Sequence, residues 1–314
     1  MTLDPVDSPP RPPSPPARAE HLRRRSLLRA CLALGAAAAT ARQRSASAAI
    51  PSFEVREVEV KGKHASRANL LVPTHLAEGE KVRLVVALHG LGESKDPSLG
   101  IRAWLDLYGL RTSYERLRSP PIARDPKRKY WTVERLAEVN ESLDRNAFRG
   151  VAVLCPFTPN VRQMGDRATP QREYADWLTT ELIPAARKVA PVLETADATS
   201  IEGCSMGGPI ALETVLAHPT RYGALGMVQP ALSTARAEPW AKALKKAREQ
   251  NPKLALQLLS SEADPFADAV RALSKELKKL SVPHVLRVPP GPHDQPWLRE
   301  TGTIEVLLFH ERGR

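Results

Sequence analysis

One stretch constrains the fold more than any other. Residues 199–208 read Thr-Ser-Ile-Glu-Gly-Cys-Ser-Met-Gly-Gly. A β-prone run over Ala198–Ile201 enters Gly203-Cys204-Ser205-Met206-Gly207, a G-x-S-x-G pattern. Apolar residues at helical spacing follow: Pro209, Ile210, Leu212, Val215 and Leu216. Strand, tight turn and helix in that order form an elbow with a serine at its apex. Glycines on both sides of Ser205 let strand and helix approach closely around a strained turn, which lifts the hydroxyl out of the sheet edge. The same letters also fit an ordinary Gly-rich strand-to-helix turn, so the rest of the chain must decide.

The net charge of +11 over 314 residues invites a nucleic-acid reading until it is located. Residues 1–48 hold eight arginines against Asp4, Asp7 and Glu20, which leaves +6 for the remainder. That is modest for the size, and no nucleic-acid motif accompanies it. Residues 5–16 are Pro-rich and cannot build a core. Arg24-Arg25-Ser26-Leu27-Leu28-Arg29 then precedes an apolar run from Ala30 to Ala39. This resembles a twin-arginine export signal. It implies the bacterial twin-arginine machinery as a partner and a periplasmic or secreted location. The run is too short and Ala-rich to span a bilayer stably. Ala46-Ser47-Ala48 fits a cleavage site, with Ala39-Thr40-Ala41 as a second candidate. The domain reading is therefore a disordered, signal-bearing 1–48 and a catalytic domain over 49–314. A disordered basic tail on a cytosolic protein is the plainer alternative.

Along the remainder, Phe53–Val60 alternates apolar and charged residues as a half-buried strand does, with Ala68–Val72 as its antiparallel partner. Val82–Leu88 and Val151–Leu154 are nearly continuous apolar runs, the pattern of strands covered on both faces. Further strands are expected at 224–228, 254–259 and 284–288, and helices at 171–190, 238–249, 265–280 and 296–310. Alternating strands and helices predict a mostly parallel central sheet with helices on both faces. Cys155 and Cys204 would then lie on strands with a third between them, about 9–10 Å apart. That is too far for a disulfide, so both are expected as buried thiols.

Residues 94–150 stand apart, because a short connection would suffice between the strands they join. They carry Trp104, Tyr108, Tyr114, Tyr130 and Trp131, half of all Trp and Tyr in the chain. We expect a helical insertion broken by Ser119-Pro120-Pro121, lying over the C-terminal edge of the sheet as a cap. His89, Trp104, Tyr108 and Trp131 are then candidate substrate-binding residues. The plainer alternative is a surface insertion whose aromatics pack a small core of their own.

A serine hydroxyl needs a base within hydrogen-bond reach and an acid that orients the base. Where the nucleophile sits on such an elbow, the chain order is serine, acid, histidine. Here Ser205 is followed by Asp264, just past a strand, and by His293, just past the last strand. Strand ends of an open sheet converge on one crevice, so the three can meet. Glu262 could also reach it, and Asp264 before Pro265 could be simply a helix cap. The oxyanion needs two preorganised N–H donors. We expect them from Met206, after the nucleophile, and from Leu91, between Gly90 and Gly92. His89 is expected to support that loop through hydrogen bonds.

Leu88-His89-Gly90, Gly203-Cys204-Ser205-Met206-Gly207-Gly208, Ala217-His218-Pro219 and Gly291-Pro292-His293-Asp294 with Trp297 resemble the putative-esterase branch of the α/β-hydrolases, over roughly residues 80–314. That branch includes esterase D-like, feruloyl esterase-like and enterochelin esterase-like enzymes. The resemblance implies an α/β-hydrolase fold and cleavage of carboxylic esters without metal or organic cofactor. The substrate would be a small-molecule or polysaccharide-linked ester. It also favours Asp264 as the acid, although Ser261 stands where a glycine is common. An acyltransferase or peptidase on the same machinery is the alternative within the enzyme class. A non-catalytic envelope- or carbohydrate-binding homologue is the alternative outside it.

Overall fold

The computed structural model describes residues 51–60, 67–160 and 168–312. The arginine pair, the Pro-rich stretch and both candidate cleavage sites lie outside these residues. Among the described residues no helix is long and apolar enough to cross a membrane.

Among the described residues, eight strands form one sheet in the order β1-β2-β4-β3-β5-β6-β7-β8. β1 (Phe53–Glu59) and β2 (Arg67–Pro73) pair antiparallel, as do β2 and β4. β3 (Leu84–Leu88), β4 (Ala152–Pro156), β5 (Thr199–Cys204), β6 (Ala224–Val228), β7 (Ala255–Leu259) and β8 (Val285–Arg287) are parallel. Every residue of β3, β4, β5 and β6 is buried, which explains why β3, β4 and β6 read as unbroken apolar runs. At the edge, β1 buries only Phe53 and Val58, and its sequence alternates accordingly.

Handedness decides where the helices go. The chain leaves β3 toward β4 in one direction along the sheet, and every later crossover runs in the other. Right-handed crossovers in opposite directions lie on opposite faces. The β3–β4 connection therefore covers one face alone, with α1 (Leu110–Arg118) and α2 (Val133–Arg145). The other face takes α3 (Ala168–Trp177), which runs through a π-helical turn at Leu178–Leu182 into α4 (Ile183–Val189). It also takes α5 (Gly207–Ala217), α6 (Ala237–Gln250) and α7 (Ala267–Lys279), packed on Val86, Leu88, Ile201, Leu225 and Met227. After β8 the chain crosses back. A turn at Gln295–Trp297, a π-helical turn at Leu298–Gly302 and α8 (Thr303–Arg312) join the first face.

The aromatic-rich segment 94–150 is thus a structural layer on the sheet face, not a cap over the sheet's edge. Trp104, Tyr108, Tyr114 and Trp131 are buried in one cluster with Val85, Ala87, Val153, Cys155, Cys204, Trp297 and Ile304. Tyr114 meets Phe53 and Phe148 edge-on, with ring centroids 5.5 and 5.2 Å apart. Arg116 pairs with Glu300 at 3.2 Å and Arg135 with Glu305 at 2.7 Å, tying the segment to the C-terminal helical run. The physical reason is topological: without this segment one face of β3 and β4 would lie open to water. Cys155 and Cys204 are free and buried, with β3 between their strands.

Candidate active site

The crossovers diverge between β3 and β5, and an open α/β sheet forms its crevice at the carboxyl ends of such a pair. Ser205 sits there, directly after β5. Its φ is +51°, a left-handed conformation that costs a non-glycine residue roughly 1–3 kcal/mol. Packing over-determines it. The Ser205 N–H donates to the Val228 carbonyl at 3.0 Å, and its own carbonyl accepts from Gly208 at 3.0 Å and Ala231 at 2.9 Å. The glycines of the motif are there for close approach. A Cβ at Gly203 would lie 2.2 Å from the Gly207 carbonyl oxygen, and one at Gly207 would lie 2.7 Å from that of Leu88. Helix α5 can start against the ends of β3 and β5 only if both stay bare.

His293 Nε2 lies 3.2 Å from Ser205 Oγ, and His293 Nδ1 lies 2.9 Å from Asp264 Oδ1. The serine and histidine are half-buried, while the Asp264 side chain is fully shielded. The aspartate also accepts from Ser260 Oγ at 2.5 Å and from the Phe266 N–H at 2.9 Å. Burial opposes its ionisation, but the hydrogen bonds from His293, Ser260 and Phe266 outweigh that and hold the carboxyl below the usual carboxylate range. Helix α7 begins only at Ala267, so Asp264 braces the preceding turn and is not the cap of that helix. Glu262 is exposed.

The two loops are zipped together beyond β7 and β8. Ser260, Glu262 and Ala263 donate backbone N–H bonds to Arg287, Pro289 and Gly291. Gln229, just past β6 with φ +45°, donates its amide to Ser261 Oγ at 2.7 Å and to the Pro292 carbonyl at 2.8 Å. Ser261 Oγ donates to the same carbonyl at 3.1 Å. The Ser261 hydroxyl thus helps hold the histidine loop. Trp297 donates Nε1–H to the Pro290 carbonyl at 3.0 Å and packs over Gly291, where a Cβ would lie 2.2 Å from its ring. Asp294, adjacent to His293, caps the next helical turn through the Trp297 N–H at 2.8 Å.

Opposite the histidine lies the loop after β3. His89 is completely buried, and burial lowers its imidazole pKa. Its Nε2 accepts from the Thr158 N–H at 2.8 Å, so Nδ1 carries the proton and donates to the Gly90 carbonyl at 2.8 Å. In a trans peptide the N–H points opposite to the C=O. Anchoring the Gly90 carbonyl inward therefore turns the Leu91 N–H outward, on a loop so close that a Cβ at Gly90 would lie 3.5 Å from Ser205 Cβ. Met206, at the start of α5, supplies the N–H next to the nucleophile.

The expected substrate-binding set is corrected by burial. His89 holds the loop and offers no exposed face. Trp104 is in the core, and Trp131 donates Nε1–H to the Glu300 carbonyl at 3.0 Å. Tyr108 is also buried, with its hydroxyl in the loop after β3. A cleft of about 950 Å³ instead opens beside Met206 and Phe266, with Ile210, Leu232 and Trp240 further along it. Phe266 also meets the His293 ring edge-on at 5.6 Å. Sequence reasoning missed Gln229, Ser260, Thr158 and Glu93. Only Gln229 left a signal, a polar residue directly after a wholly apolar strand.

Residues 158–282 match the model of the family described as putative esterase. Among solved structures, a ferulic acid esterase superposes with a TM-score of 0.59 at 14% identity, covering 84% of this chain and 99% of that one. A feruloyl esterase module from Clostridium thermocellum, complexed with sinapinate, gives 0.57 at 10% identity over 84% and 90%. An S-formylglutathione hydrolase from Agrobacterium tumefaciens gives 0.53 at 15% identity over 83% and 96%. A search of curated protein sequences found no match. At such identities the structural likeness speaks for the fold, while the family match runs across the serine elbow and the loop of Asp264. Residues 158–282 thus match the putative esterase family, within a chain whose fold is the one these α/β-hydrolase esterases share.

Proposed function

We propose that the protein is an exported serine esterase that works through an acyl-enzyme. The observation that carries this reading is the relay from Ser205 Oγ through His293 to Asp264, with links of 3.2 and 2.9 Å. Ser205 attacks the ester carbonyl as His293 Nε2 takes its proton. The Met206 and Leu91 N–H groups receive the oxyanion. His293 then protonates the leaving alcohol, and water repeats the sequence to release the acid. Asp264, ionised at neutral pH, keeps the Nδ1 proton in place and balances the imidazolium. The cleft beside Met206 and Phe266 is where we place the body of the substrate. Small or polysaccharide-linked esters are the substrate class, by likeness to the feruloyl esterases. Export rests on the Arg24-Arg25 pattern and puts the enzyme in the periplasm or medium.

The test is labelling with a fluorophosphonate probe, coupled to pre-steady-state hydrolysis of p-nitrophenyl acetate. Labelling at Ser205 with a burst of nitrophenol is expected. A protein that neither labels nor turns over would instead fit the non-catalytic homologue.

A further inference from the structure

We propose that Tyr108 and Glu93 are positioning residues of the oxyanion loop, a clamp that selects which N–H of that loop faces the nucleophile. The proposal rests on the serine-esterase reading above. Tyr108 follows a π-helical turn at Ala103–Leu107 in the layer on the sheet face. Its backbone is anchored there, with its N–H on the Ala103 carbonyl at 2.9 Å and its carbonyl accepting from Thr303 Oγ1 at 2.6 Å. Its ring is buried and edge-on to Trp104, with centroids 5.3 Å apart. Its hydroxyl reaches the loop after β3. It accepts the Gly90 N–H at 3.0 Å and donates to Glu93 Oε2 at 2.5 Å.

Both hydrogen-bonding roles of the phenol are therefore spent on the loop after β3. With its N–H on Tyr108 and its carbonyl on His89 Nδ1, Gly90 has neither group free for substrate. Leu91 is the next donor along the chain; His89 holds its peptide through the Gly90 carbonyl, and Tyr108 holds the peptide before it through the Gly90 N–H. Glu93 is buried, and Gln295 Nε2, two residues beyond His293, approaches its other oxygen at 3.5 Å. The carboxylate thus stands between the oxyanion loop and the histidine loop. Burial first, and then the nearby Cys204 and Glu93, raise the Tyr108 pKa well above its usual value, so the hydroxyl keeps the proton it donates. The aromatic segment, corrected from a cap to a layer, thereby gains a mechanistic role, bracing the loop from beneath.

A loosened loop weakens transition-state binding more than substrate binding. Removing an oxyanion donor outright costs roughly 10²–10³ in kcat, so misplacing one should cost roughly 10- to 100-fold. We would measure steady-state hydrolysis of p-nitrophenyl acetate and inhibition by an alkyl trifluoromethyl ketone, whose serine adduct carries an oxyanion. For Tyr108→Phe the expected result is a kcat lowered by about that factor, KM within about twofold, and ketone affinity weakened in step with kcat. Glu93→Gln keeps an acceptor for the phenol and should retain most of the activity, whereas Glu93→Ala should fall with Tyr108→Phe. A folded Tyr108→Phe with wild-type kcat and ketone affinity overturns the proposal, as does a loss confined to KM. Should Tyr108→Phe not fold, equal kcat for Glu93→Ala and Glu93→Gln overturns it. A wild-type protein inert to both ester and fluorophosphonate would strike the esterase reading instead.

Discussion

The side-chain amide of Gln229 reaches the Pro292 carbonyl at 2.8 Å, one residue before His293. The end of β6 thereby sets the height of a loop that follows β8. Gln229→Ala would leave the part-buried Pro292 carbonyl with Ser261 Oγ as its remaining donor and deprive the buried Ser261 hydroxyl of the amide, at about 1–2 kcal/mol. A fall of several degrees in Tm is expected, with kcat down about tenfold and KM little changed. A thermal melt beside steady-state kinetics checks this, and unchanged kcat would show that the histidine loop holds its place without β6.

Ser205→Ala should abolish turnover, by on the order of 10⁴–10⁶ in rate. Ser205→Gly should be equally inactive, yet melt no lower than Ser205→Ala, because glycine takes the +51° backbone without steric cost. Residual activity within tenfold of wild type would remove the serine from the mechanism. A lower melt for the glycine variant would show that the turn is not strained.

For the acid, Asp264→Asn should lower kcat at least about a hundredfold, and Glu262→Gln less than about tenfold. The aspartate also predicts a pH effect. Its folded pKa lies below the unfolded value, so its contribution is fully present above about pH 4 and is lost as pH falls through the folded pKa. Acid titration of stability should therefore be less steep in Asp264→Asn than in wild type. Parallel curves for the two proteins would contradict the hydrogen-bond pattern around Asp264.

Trimming residues 101–145 to a short linker should yield insoluble or molten protein, not an esterase of altered preference. The deletion takes Trp104, Tyr114, Trp131 and Leu143 out of one core and leaves Val85, Ala87 and Val153 facing water. Circular dichroism and gel filtration decide the matter. A compact, probe-reactive deletion variant would restore the cap reading.

Lysine at both Arg24 and Arg25 keeps the charge but should leave unprocessed precursor in the cytosol. Fractionation with immunoblotting reads this directly, and normal processing would point to another export route or to none.

The serine elbow, the order Ser205, Asp264, His293 and the buried strands could all be read in the sequence, because each is a local demand. A turn with positive φ and close backbone approach accepts few residue types, and a strand buried on both faces needs an unbroken apolar run. The face that 94–150 covers could not be read this way. It depends on β4 lying on the opposite side of β3 from every later strand, and on the handedness of the connection between them. Nor could the supports of the site. Thr158 on His89, Gln229 on Pro292 and Tyr108 on Gly90 join residues 69, 63 and 18 positions apart. Threonine, glutamine and tyrosine are ordinary at any of those positions until the chain folds and spends their hydrogen bonds on one crevice. The choice between Asp264 and Glu262 was of the same kind. Both are carboxylates in one loop, and only the tertiary structure buries the first against His293 and turns the second to water.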